Sequence, residues 1–206
     1  KKCFSALWEL YQIKECLIYL GLCAIAEGDD SLAIEQFEKI QTPQNLNTHL
    51  RFDYWKEYGN SSTRMGHHDK ANHCYQLALE IKPDSDVVYV NLGTLELQRN
   101  QTDLAGMYFL RALELNRQNA KARCGLGLTA IAKGKLTEAR REFEAALQTD
   151  NHNIVALLQL SQIIHKSVEL AHIRPYCIKF LESEPQNLDV RYALATILFK
   201  EGHWHQ

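Results

Sequence analysis

The sequence predicts an all-α fold, a solenoid of tandem helix-turn-helix units, on three observations. Chemically similar residues recur every 34 positions along most of the chain. Small residues hold matching places in successive units, where one helix backbone has to lie close against another. Leu, Ala and Glu are frequent and β-branched runs are few, which favours helix over strand. The chain has 206 residues, 46% of them hydrophobic, enough apolar material for a continuous core.

The elements follow in order. Residues 1–13 read as the second helix of a preceding unit, with Cys3 and Ala6 at its packing places. The next unit, 14–47, carries Leu20-Gly21, Ala33, Phe37 and Ile40, and is followed by a four-residue insertion near Asn47–Arg51. Unit 52–85 has Tyr58-Gly59, Ala71, Tyr75, Ala78 and Pro83. Units 86–119 and 120–153 anchor the period, with Leu92-Gly93 against Leu126-Gly127, Ala105 against Ala139, and Phe109 against Phe143. Unit 154–187 has Leu160-Ser161, Ile173, Cys177, Phe180 and Pro185, and a partial unit fills 188–206.

Turn chemistry agrees with this register. Gly28, Gly66, Gly134 and Gly202 fall where the first helix of a unit should end, and Asn100 takes the same place as the next best left-handed residue. Asp30, Asp69, Thr102 and Thr137 follow as expected N-caps of the second helix. In unit 154–187, Pro175 is tolerated only in a first helical turn, so the second helix there should start near Arg174 after a lengthened loop.

In this register the chain resembles the tetratricopeptide repeat, a helix-turn-helix unit with small residues on both helices and an aromatic on the second. The resemblance covers nearly the whole chain and implies one right-handed α-solenoid array over 1–206. It also implies a non-enzymatic protein that holds another polypeptide on its concave face. That face is lined in this family by first-helix residues at the second, fifth, sixth, ninth, twelfth and thirteenth places of each unit. In unit 14–47 all but the second place hold Ile18, Tyr19, Leu22, Ile25 and Ala26, an apolar stripe whose larger side chains are a candidate hydrophobic groove.

Units 52–153 are more polar there. Co-chaperone domains of the family grip an acidic C-terminal tail with a carboxylate clamp of two lysines, two asparagines and an arginine. The matching places hold Lys56, Asn60, Asn91 and Lys121, candidate peptide-binding residues, with Gly125 where the arginine would be. Lysine and amide donors suit a carboxylate, but the bidentate donor is missing.

Other function classes find little support. A formal charge of −2 supplies no electrostatic reason to bind nucleic acid or an anionic membrane. No apolar run approaches the ~18 residues of a membrane span, so direct membrane insertion is not expected. Six cysteines without a CxxC pair read as reduced core residues, which suggests a cytoplasmic setting. The sequons at Asn60 and Asn100 are discounted accordingly.

His67, His68, His73 and Cys74 cluster near one turn, but five-residue spacing on a helix makes His68 and His73 diverge by about 140°. His203 and His205 lie only two apart near the end of the chain. Neither set is expected to hold a metal, and no cofactor is expected. The leading expectation is a protein-protein interaction scaffold or adaptor. The alternatives are a co-chaperone-like domain binding an acidic tail through an incomplete clamp, and a regulatory or substrate-presenting arm of a larger enzyme. Self-association through uncapped ends is a further expected contact.

Overall fold

A computed structural model describes residues 2–11, 13–163, 172–200 and 202. Among them are twelve α-helices, one 3-10 turn and no strand. The chain divides into two compact units, Lys1–Asn100 and Gln101–Gln206.

The first unit contains α1 (Lys2–Tyr11), α2 (Glu15–Ala26), α3 (Asp30–Glu38), α4 (Thr48–Arg64), α5 (His68–Ile81) and α6 (Asp86–Gln98). Its core joins Leu17, Ile18, Ala33, Phe37, Tyr54 and Cys74, among others. The small residues act as the spacing requires. A Cβ built on Gly21 would lie 2.5 Å from a Phe37 ring carbon, and one on Gly59 would lie 2.5 Å from the Tyr75 ring. The aromatic of the second helix therefore rests directly on the backbone of the first.

The second unit contains α7 (Thr102–Leu115), α8 (Ala120–Ala132), α9 (Leu136–Thr149), α10 (Ile154–Ile163), α11 (Arg174–Ser183) and α12 (Leu188–Lys200). Phe143, Leu157, Leu160, Cys177 and Phe180 form its core. Gly127 supports the Phe143 ring as Gly59 supports Tyr75, at 2.6 Å from a built Cβ. Pro175 sits in the first turn of α11, where its missing N–H costs no helical bond. The lengthened loop expected before it falls mostly on 164–171, outside the described residues.

Turns between paired helices adopt the left-handed conformation at the expected places, with φ of 75° at Gly66 and 60° at Asn100. Only glycine takes this region without strain, and asparagine is the best tolerated substitute.

The insertion near Asn47–Arg51 is helical: Thr48–Arg51 forms an extra first turn of α4, started by Asn47, whose side chain accepts from the Leu50 N–H at 2.9 Å. One expectation needs correction: the second-helix caps are misplaced. Asp30, Asp69 and Thr102 lie within the first turn of their helices and Thr137 one residue inside α9, while Asp29 caps α3.

The periodic caps instead open the first helices, at Ser85, Asn119, Asn153 and Asn187, each bonding the N–H three residues on. First-turn acids have another role. Asp30 takes a bidentate pair from Arg64 at 2.6 and 2.7 Å, Asp69 pairs with Arg99, and Asp103 pairs with Lys133 at 2.6 Å. Each acid complements the positive end of its own helix while tying it to the end of a later one. The guanidinium of Arg64 holds the Asp30 carboxyl below its ordinary value against the opposing effect of burial.

Candidate functional site

The polar first-helix face of the first unit is built by α4 and α6, which pack against each other. Asn60 is its centre. The Asn60 carbonyl oxygen accepts from the Asn91 amide at 2.7 Å and from the Tyr75 hydroxyl at 2.9 Å, while the Asn60 amide donates to Glu57 at 2.9 Å. Thr63 completes the set, 3.0 Å from the Tyr75 hydroxyl and donating to the Gly59 carbonyl. Burial raises the Tyr75 phenol above its ordinary pKa, so it stays neutral.

Lys56 is not a free cation. Its ammonium lies 3.0 Å from Asp53 and 3.1 Å from Glu57, over the Phe52 ring, with its side chain only 20% exposed. Burial alone would lower its pKa, but the hydrogen bonds and charges of the two carboxylates outweigh that and raise it. An incoming carboxylate would meet two acids around this one lysine.

Of the four candidate peptide-binding residues, Lys56, Asn60 and Asn91 are thus joined through Glu57 and the Asn60 amide. Lys121 belongs to the second unit, exposed in the first turn of α8. Gly125 is not a vacant arginine place but a packing position. A Cβ there would lie 2.3 Å from the Phe109 ring, so a long side chain would displace the aromatic.

The family description "Tetratricopeptide repeat" matches residues 90–154 in one form and residues 53–85 in another. Over 90% of its length the chain also superposes on 99% of TTC0263, a thermophilic TPR protein of Thermus thermophilus, with a TM-score of 0.70 at 17% identity, a likeness of fold alone. The chain is a tetratricopeptide-repeat protein.

Its relatives differ in setting. Human protein O-mannosyl-transferase TMTC3 is 27% identical over 121 residues, 57% of this chain and 13% of that protein. Mouse RNA polymerase II-associated protein 3 is 26% identical over 165 residues, 73% of this chain and 25% of that one. The chain therefore spans a quarter or less of these curated relatives. A solved structure, the first TPR of Spaghetti (RPAP3) bound to the HSP90 peptide SRMEEVD, is 28% identical, with a TM-score of 0.50, over 53% of this chain and 86% of that one.

The apolar stripe on the first complete tetratricopeptide repeat is largely covered. Ile18 is fully buried in the core, and Leu22 and Ile25 are half-buried against it. Tyr19, 38% exposed, stacks on Phe4 of α1 with ring centroids 4.9 Å apart. Packing of α1 against α2 removes most of this candidate groove, and Ile18 is withdrawn from it.

A second repeat surface lay outside the sequence reading. Between α10 and α12 a cleft of about 430 Å³ is lined by Leu158, Gln162, Asp189, Tyr192, Thr196 and Lys200. Its signal was the same first-helix places counted into repeats 154–187 and 188–206. Asp53 was also legible, since an acid three residues before a lysine on a helix lies beside it, whereas adjacent residues such as Lys56 and Glu57 are not expected to face each other.

The histidine cluster does not converge. Cys74 is buried in the core while His67 and His73 are exposed. Among the described residues no three His, Cys, Asp or Glu side chains stand close enough to hold a metal ion. His203 and His205 lie outside those residues. All six cysteines are free; burial pushes the Cys74 and Cys124 thiols up to about 12 and Cys177 to about 11. No helix among the described residues is long and apolar enough to cross a membrane.

Proposed function

We propose that the chain is a protein-interaction module, not an enzyme, and that it holds an extended segment of a partner polypeptide across α4 and α6. The observation that carries this reading is the Asn91 amide. One of its hydrogens is committed to Asn60, which fixes the plane of the group. Its carbonyl oxygen and second hydrogen remain for an incoming chain, a donor and acceptor spaced to match a peptide backbone. Asn60 is itself locked by Tyr75 and Glu57, so little side-chain freedom is lost on binding. The buried, reduced thiols support a cytoplasmic setting.

Two relatives favour narrower readings. Similarity to the Spaghetti domain with its SRMEEVD peptide supports an acidic-tail adaptor acting through Lys56, Asn60, Asn91 and Lys121. Asp53 and Glu57 beside Lys56 and the packing role of Gly125 weigh against it. Similarity to a stretch of TMTC3 supports a repeat arm within a larger enzyme.

The test is site-specific photo-crosslinking from exposed Thr94 on α6, with exposed Gln76 on α5 as control, followed by mass spectrometry. The expected result is one partner segment captured from position 94, whose synthetic peptide binds the full chain and loses about tenfold affinity with Asn91→Ala. Equal capture from both positions, or no response to Asn91→Ala, rejects the groove.

A further inference from the structure

Helix α7 presents an outer face that the groove reading leaves unused. Ala105, Gly106, Phe109 and Ala112 turn inward, while Leu104, Met107 and Leu110 are 39%, 66% and 54% exposed. At 100° per residue these three fall within about 120° of arc, with Met107 at the middle. Asp103 and Arg111 lie on the same face one turn before and one turn after Met107, with side chains 91% and 51% exposed.

The pattern is symmetric in position and opposite in charge about Met107. Leucines stand three residues to either side; an acid stands four before and a base four after. A surface of this kind is complementary to its own reversed copy. We propose that α7 is a self-association surface, occupied by α7 of a second copy of this chain in an antiparallel, two-fold arrangement centred on Met107.

Helices crossing at the common angle of about −50° bring their i, i+4 rows parallel. The row Asp103–Met107–Arg111 then runs alongside its copy in reverse order, each acid facing the other copy's base, with the leucines flanking the methionines. A two-fold interface requires this self-complementarity, whereas a head-to-tail contact would not match the charges. Asp103 and Arg111 keep their present partners, Lys133 and Glu114, as members of a wider exposed network. One helix face buries less than the roughly 1,200 Å² of a standard interface, so the association is weak and belongs to high concentration or to chains already held together.

Sedimentation equilibrium of the full chain up to about 1 mM is the measurement, suited to weak association. Asp103→Arg and Arg111→Asp should each weaken dimerisation roughly tenfold or more through like-charge contact, and the double exchange should restore it. Thermal unfolding of each variant separates misfolding from lost association.

Only Met107 meets its own equivalent on the axis. In a Cys3→Ser, Cys23→Ser background, Met107→Cys should therefore give a disulfide-linked dimer under mild oxidation, while Gln148→Cys on α9 stays monomeric. A monomer at every concentration overturns the proposal. So does a folded double exchange that fails to dimerise, or association lost with Tyr192→Glu on α12 but indifferent to α7, which would assign the contact to the end of the array.

Discussion

The pairs α4–α5 and α8–α9 are offset by two repeat lengths and use the same packing for opposite chemistry. Gly59 under Tyr75 matches Gly127 under Phe143, and Ala71 matches Ala139, all buried. Around that shared frame the side chains diverge. Asn60, Thr63 and Tyr75 form a hydrogen-bonded set in the first pair, while in the second the matching Phe143 is buried core with the partly buried Leu128 and Ile131 packed against that core. Lys56 and Glu57 are matched by Cys124 and Gly125, a buried thiol and a packing glycine. The repeat dictates where backbones touch and leaves the groove-facing places to vary, so recognition should be local to particular repeats rather than spread evenly.

The shared frame should show the largest effects. Gly59→Leu and Gly127→Leu should each destabilise by about 3 kcal/mol, the upper end for overpacking, because a Cβ alone already enters the facing ring. Urea midpoints measure this; a large shift in one variant and none in the other would mean the two pairs do not share their packing.

Next comes a reciprocal exchange at the aromatic. Phe143→Tyr brings a hydroxyl among Leu128 and Ile131 and should cost about 1–3 kcal/mol, the cost of an unsatisfied buried group. Tyr75→Phe should cost only about 0.5–1.5 kcal/mol, because Asn60 keeps the Asn91 bond and Thr63 keeps Gly59. Equal costs would show that the chemistry around the ring is not what distinguishes the pairs.

Much of this was readable from the 34-residue period because backbone proximity forces small residues and left-handed turns, and these leave the same letters at the same places. Gly21, Gly59 and Gly127, the turn at Asn100, and the start of α11 beside Pro175 belong to that class. The rest depends on neighbours in space. Ile18 counts as a groove residue by its place in the repeat, yet α1 and α2 bury it. Gly125 counts as a missing arginine by alignment, yet Phe109 from the preceding helix occupies the space. Asp30 and Asp69 resemble caps because they stand only one and two residues past the true caps Asp29 and His67, and their real partners lie 30 or more positions away.

The smallest effect concerns thiols. Exposed Cys3 and half-exposed Cys23 should react with a thiol reagent in the folded protein at pH 8. Cys16, Cys74, Cys124 and Cys177 should wait for unfolding, since they are buried and the last three hold their protons to about pH 11 or 12. Fast native labelling of Cys124 would mean that the place matching Lys56 is open to solvent after all.

The central claim is that the α4–α6 groove reads peptide backbone through a locked amide and does not act as a receptor for acidic tails. Calorimetric titration of the SRMEEVD peptide into the wild-type chain and into Lys56→Glu with Lys121→Glu tests it most directly. Lys56 is already neutralised by Asp53 and Glu57, so the expected result is weak binding that changes less than about tenfold in the double variant. Tight binding that falls by about a hundredfold or more would show two lysines each contributing a charge-assisted contact to the tail, and would contradict the account.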